Sequence, residues 1–156
     1  MAGNVLSEII LIIASVIIAT MLSTTVMSKV SVFESAFTES TEAQKQITLT
    51  KIKIIYATNS TSAKVNTWVK NIGTNPVSQL DLVDVYFGKL GTAQRISYNT
   101  GILPTWNYSS TPSVWQAKGT VQINVYDNAN LQKNATYSIK VTTPNGVSDD
   151  HIFSIS

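Results

Sequence analysis

The spacing of apolar and polar residues changes twice along the chain. From Val5 to Met27 apolar residues are nearly continuous, broken by small hydroxyl residues and by one charge, Glu8. A helix over these 23 residues is about 35 Å long, enough to cross a hydrocarbon core of about 30 Å with some tilt. Residues 1–28 are therefore expected to form an N-terminal transmembrane helix, with Glu8, Ile9, Ile13, Ile17 and Met21 along it. A cleaved secretory signal has a basic start and an apolar core of about 7–15 residues. Met1-Ala2-Gly3-Asn4 is uncharged and the run here is longer, which favours an uncleaved signal anchor.

Past Met27 the apolar positions thin out without a break in the helical pattern. The stretch from Lys29 to Gln46 has no Gly or Pro, and Val30, Phe33 and Phe37 recur at spacings of three and four. Glu34, Glu39 and Glu42 lie off that stripe, with Lys45 three residues after Glu42. A helical stalk over residues 29–46 is the expectation.

From Ile47 the period becomes two. Residues 47–54 alternate apolar with polar, as in a strand with one buried face. Further strands are predicted over residues 63–70, 80–87, 95–98, 120–126, 135–143 and 147–155, with Asn145-Gly146 as a strong hairpin turn. Short strands at roughly 10-residue spacing in about 110 residues predict an immunoglobulin-like sandwich over residues 47–156. The fold class expected is thus an all-β immunoglobulin-like sandwich preceded by one long N-terminal transmembrane α-helix and a helical stalk.

Composition narrows the partners. Eleven Lys and Arg against nine Asp and Glu give a net charge of +2, and the basic residues are scattered singly, which argues against a nucleic acid partner. Zero cysteines exclude a disulfide framework, a Cys-based zinc site and a thiol nucleophile. Asn59-Ser60-Thr61, Asn107-Tyr108-Ser109 and Asn134-Ala135-Thr136 are glycosylation sequons, making Asn59, Asn107 and Asn134 candidate glycan acceptors. Together with the low charge they favour placing the domain outside the cytoplasmic membrane. Lys29, just after the helix, pulls weakly the other way.

Catalytic sets are missing from the sequence. The single His151 has Asp149 and Asp150 beside it, but there is no nucleophile elbow and no second histidine for a metal site. Asp127-Asn128-Ala129-Asn130 lacks the ligand spacing of a calcium loop and reads as a turn. Neither an enzyme nor a cofactor is expected. What remains is assembly. Residues 98–115 read as a loop carrying Trp106, Tyr108 and Trp115, a candidate partner loop if exposed and an end cap of the sandwich if not. Trp68, in mid-strand, is assigned to the core. Edge strands offer a route to self-association, with Lys118 or Lys140 as candidate edge guards.

The layout of helix, stalk and sandwich, with residues 65–77 (Val-Asn-Thr-Trp-Val-Lys-Asn-Ile-Gly-Thr-Asn-Pro-Val) and 82–88 (Leu-Val-Asp-Val-Tyr-Phe-Gly), resembles the archaeal FlaG/FlaF family of archaellum stator proteins. The resemblance implies a membrane-anchored structural component of the archaellum motor. Its sandwich would lie in the archaeal pseudo-periplasm, between the cytoplasmic membrane and the S-layer. It would self-associate, pair with a sister FlaF-type protein and hold the static part of the motor toward an S-layer protein. A second resemblance starts at the N-terminus. Processing between Gly3 and Asn4 would make Glu8 the fifth residue ahead of an apolar helix, as in type IV pilins and archaellins. Their signal has a basic residue where Ala2 stands here, which tips the reading toward a permanent anchor. A filament subunit remains the alternative, and a surface adhesin a minor third.

Overall fold

The structure, a computed structural model, describes residues 2–155; Met1 and Ser156, which end the expected segments 1–28 and 47–156, lie outside the described residues. The chain divides into an N-terminal unit ending at Ala43 and a C-terminal unit beginning at Gln44.

The N-terminal unit is helix throughout, the larger part of α1 (Ala2–Leu49). Its apolar run shows the same chemistry on every side: Leu11 is 70% exposed, Ile18 65% and Ile13 55%. An all-round apolar surface of this kind suits a lipid environment and not a one-sided seam. Five of the six hydroxyls within the run, all but that of Ser23, are spent on the helix itself. Ser7 donates to the Gly3 carbonyl, Ser15 to Ile12, Thr20 to Val16, and Thr24 and Thr25 to Met21, at 2.7–3.1 Å. Polar side chains satisfied by their own backbone leave little desolvation cost on entry into lipid.

The C-terminal unit holds eight strands: β1 (Ile52–Thr61), β2 (Lys64–Asn71), β3 (Asp84–Lys89), β4 (Gln94–Tyr98), β5 (Thr105–Tyr108), β6 (Thr120–Tyr126), β7 (Thr136–Thr142) and β8 (Ser148–Ser154). Their order is β1-β2-β6-β5-β4-β3-β7-β8. All neighbours are antiparallel except β4 and β5, which run parallel through Ser97 with Thr105 and Tyr98 with Trp106. β4 therefore turns the corner between a face built of β1, β2, β6 and β5 and one built of β3, β7 and β8. The result is a nearly closed immunoglobulin-like sandwich. Val65, Val69, Ile123 and Val125 from the first face meet Val85, Ile139 and Val141 from the second, all within 1% of full burial. This period-two selection of Val and Ile is why the strands form here.

Three departures from expectation have local causes. The alternation over 47–54 belongs to two elements: residues 47–49 finish α1 and β1 starts at Ile52. The helix wins because its last carbonyls are capped from within the sandwich, as described below. Trp68 is not core. β2 buries Val65, Thr67, Val69 and Asn71, so the other phase, with Lys64, Asn66, Trp68 and Lys70, points outward. Finally, the loop expected over 98–115 contains β5, and Trp106, Tyr108 and Trp115 are 1%, 5% and 1% exposed. Aromatic density there fills the interior at the β4–β5 corner, so of the two readings burial fits the end cap and not the exposed contact loop. Lys118 lies in a turn at φ 63° and Lys140 in β7, between β3 and β8, so neither guards an edge.

Candidate functional site

The candidate functional features are the apolar helix, the grip on its C-terminal turn and the closure of the sandwich. Glu8, Ile9, Ile13, Ile17 and Met21 all lie on α1 and all are exposed; the four apolar ones follow each other at steps of four and make one stripe. Gly3 and Asn4 are exposed and already helical. Farther along, Phe33 and Phe37 are 70% and 64% exposed and stack on each other with ring centroids 6.3 Å apart.

The last turn of α1 belongs to the C-terminal unit, where the loop after β2 holds it. The amides of Thr74 and Asn75 donate to the Leu49 carbonyl at 3.0 and 3.3 Å, and those of Ile72 and Gly73 to Lys51 at 2.7 and 2.9 Å. Helix-end carbonyls left without partners are thereby satisfied by tertiary bonds. Asn71 keeps the loop in shape: its side chain donates to the Asn75 carbonyl and accepts from the Gly73 amide. A side chain at Gly73 would run into the Leu49 carbonyl oxygen, so only glycine lets the loop approach. Asn75 then donates to Gln46 Oε1 at 2.9 Å, and Asn145, from the β7–β8 turn, donates to Thr50 Oγ1 at 2.8 Å. Residues 71–76 of the family-like stretch are thus the loop that grips the helix end.

The free edges of the sheet, β1 and β8, are joined by one side chain. Asp149 accepts from the Ile54 amide at 2.8 Å and from Lys53 Nζ at 3.0 Å. Its carboxylate takes an edge N–H that would otherwise be open to another strand. No local pattern marks the roles of Gln46, Asn145 and Asp149, because Gln46 meets Asn75 29 residues away, while Asn145 reaches Thr50 and Asp149 reaches Ile54 across 95 residues each.

The aromatic corner is a packed set. Trp106 lies 4.7 Å from Tyr98 and 5.1 Å from Tyr108 between ring centroids, and Trp115 Nε1 donates to the Gly119 carbonyl at 3.0 Å. Tyr108 Oη donates to the Leu80 carbonyl at 3.1 Å. Burial, then the neighbouring Tyr98 and Asp81, push its phenol pKa well above the usual value. Of the three sequon asparagines, Asn134 is exposed in a turn at φ 59°, while Asn59 in β1 and Asn107 in β5 are half-buried. His151, half-buried in β8, stacks on Phe153 at 6.5 Å. Among the described residues no group of three or more His, Cys, Asp or Glu is placed to hold a metal ion.

Comparison with known proteins gives these features a context. Residues 2–152 match the model of the archaeal-type flagellin family. The archaellum periplasmic stator protein FlaG of Sulfolobus acidocaldarius is 36% identical over 67% of this chain and 100% of that one, with a TM-score of 0.64. In the FlaF and FlaG stator complex of the same organism, the match is again 36% identical, over 67% of this chain and 90% of that one, with a TM-score of 0.63. The archaeal flagellum of Methanospirillum hungatei shares the fold over 97% of this chain and 93% of its own, with a TM-score of 0.77 at 14% identity. No curated protein sequence matches. The chain belongs to the archaeal-type flagellin family and is an archaellum component of the FlaG/FlaF stator group.

Proposed function

We propose that this chain is a membrane-anchored, non-enzymatic structural component of the archaellum motor. Residues 5–27 of α1 fix it in the cytoplasmic membrane as a single span. The sandwich stands outside that membrane, self-associates, pairs with a FlaF-type protein and holds the static part of the motor toward the S-layer. The observation that carries this reading is the 36% identity to a stator protein along that protein's whole matched chain, against 14% for the filament relative. The all-round apolar helix with self-satisfied hydroxyls supports the anchor. Asn134, the one exposed sequon asparagine, is the preferred glycan acceptor of the three.

Electron microscopy and swimming assays of cells lacking the gene test the reading. Filaments present on immobile cells are expected. A normal swimming speed would sink it.

The flagellin-family match keeps a filament subunit as the second reading, with α1 packed in a fibre core after processing between Gly3 and Asn4. Intact mass of the membrane-extracted protein separates the two. The anchor retains residues 1–3, and their loss would favour the filament.

A further inference from the structure

The outward face of β1, β2, β6 and β5 has a composition unlike the rest of the surface. A bulge in β1, where the register passes from Ile54 opposite Val69 to Tyr56 opposite Trp68, turns Tyr56 outward beside Trp68. The two rings lie 5.8 Å apart at 31°, with Tyr56 56% exposed and Trp68 half-buried. Two solvent-facing rings held side by side by backbone pairing form a platform whose orientation is fixed before any ligand arrives.

Next to the rings runs a chain of side-chain amides. Gln122, opposite Trp68, donates to Asn124 Oδ1 at 3.0 Å, and Asn124 donates to Asn107 Oδ1 at 3.2 Å. Asn66, opposite Asn124 on β2, accepts from Ser60. The relay points one way. It leaves the Gln122 carbonyl oxygen as an acceptor at one end and the Asn107 NH₂ as a donor at the other, neither with a protein partner among the described residues. Such amides, each both donor and acceptor, suit hydroxyl groups better than they suit a backbone ladder or an ion. The C–H faces of a pyranose ring carry partial positive charge and meet the negative face of an aromatic ring.

Charge narrows the ligand further. The four strands contain no Asp or Glu, while Lys64 and Lys70 flank the platform on β2, Lys64 Nζ lying 5.2 Å from the Tyr126 ring centroid. The geometry points to a carbohydrate-binding face, taking a chain of pyranoses that includes acidic sugars. Trp68 and Tyr56 stack on the sugar rings, the half-buried amides of Gln122 and Asn107 bond the hydroxyls while the buried Asn124 links them, and the two lysines meet the carboxylate or sulfate groups.

The full-length, unglycosylated protein in a sugar-free detergent is titrated with hexagalacturonate by isothermal calorimetry, with maltohexaose as the neutral comparison. Trp106 and Trp115 are each 1% exposed, so tryptophan fluorescence provides a parallel signal from Trp68. Saturable binding of hexagalacturonate is expected, at least tenfold tighter than maltohexaose. It should weaken at least tenfold in Trp68→Ala and about threefold in Lys70→Gln, and be unchanged in Phe33→Ala. Tyr56→Ser, on an exposed edge residue, gives a second tenfold loss should Trp68→Ala fold poorly. No heat with either sugar, equal affinity for the two, or full affinity in both ring variants would overturn the assignment.

Discussion

The N-terminal unit and the sandwich treat large apolar side chains in opposite ways. Along α1 up to Ala43, residues such as Leu11, Met27 and Phe33 are each at least 70% exposed, and nothing among the described residues of the N-terminal unit covers them. In the sandwich, Val69, Val85, Ile123 and Ile139 are wholly buried by one another. One region carries its solvent exclusion within itself. The other has to find it in lipid or in another molecule. Their stabilities should therefore respond to different perturbations. A substitution within the sandwich should change its unfolding free energy, whereas one on the exposed helix should change partitioning and association.

The largest test of that division removes one aromatic from each side. Trp106→Ala deletes a ring packed between Tyr98 and Tyr108 and should lower the unfolding free energy of the sandwich by about 3–5 kcal/mol. Phe33→Ala deletes a ring of comparable bulk that is 70% exposed and should change it by less than about 0.5 kcal/mol. Denaturant titration of both variants in detergent reads the difference. A cost above 2 kcal/mol for Phe33→Ala would mean that the two units share a core.

Close behind is Gly73→Ala. The new Cβ would collide with the Leu49 carbonyl oxygen and lie within 2.6 Å of the Lys51 nitrogen, both backbone atoms that cannot swing away. A loss of about 3 kcal/mol is expected, near the upper end for overpacking. Hydrogen exchange should show it first at the amides of Ile72 and Gly73, which bond the Lys51 carbonyl, and of Thr74 and Asn75, which bond Leu49 at the helix end. Unchanged protection at those amides would argue that the grip on α1 is not what the glycine serves.

These two residues also mark what the sequence could and could not disclose. The apolar run, the strands β6, β7 and β8 and the family-like stretch containing Gly73 were legible, because each is written in a local period or motif. The phase of β2 was not. One alternating set holds Val65 and Val69 and the other Trp68, both sets carry hydrogen-bonding side chains, and the larger Trp68 was the misleading cue to which set is inside. Trp106 was left between a contact loop and an end cap for a related reason. β5 has four residues and no alternation of its own, and its parallel pairing with β4 is a long-range event. Burial of aromatics at a corner strand leaves the same composition as an exposed loop. The helix end misled in the reverse direction, since Ile47 and Leu49 fit a strand period while the partners of the Leu49 carbonyl come from residues 74 and 75.

A smaller effect is expected at the seam. Asp149→Ala removes the acceptor of the Ile54 amide and the ion partner of Lys53 and should cost about 2 kcal/mol. Lys53 is more than half exposed, so its ion pair is screened and contributes little of that sum. The same variant frees an edge N–H on β1, so sedimentation at rising concentration should show more self-association than in the native protein. An unaltered oligomer distribution would indicate that other features protect this edge.

The smallest and most specific test is Tyr108→Phe, which separates burial of a ring from burial of its hydroxyl. At pH 7 the variant loses the bond from Tyr108 Oη to the Leu80 carbonyl and should be destabilised by about 1 kcal/mol. The carbonyl keeps the Val83 amide as a partner, which limits the cost. The pH dependence runs the other way. Burial raises the phenol pKa in the folded protein, so folding favours the protonated form. That stabilisation is complete below the unfolded value of about 10 and is lost as pH rises toward the folded value. One unit above pH 10 the native protein gives up about 1.4 kcal/mol that phenylalanine cannot lose. Urea titrations at pH 7 and pH 11 should therefore find the gap between native protein and variant closed at the higher pH. A gap that stays constant would mean that the hydroxyl ionises as readily in the folded sandwich as in the unfolded chain, and the aromatic corner would then be open to water.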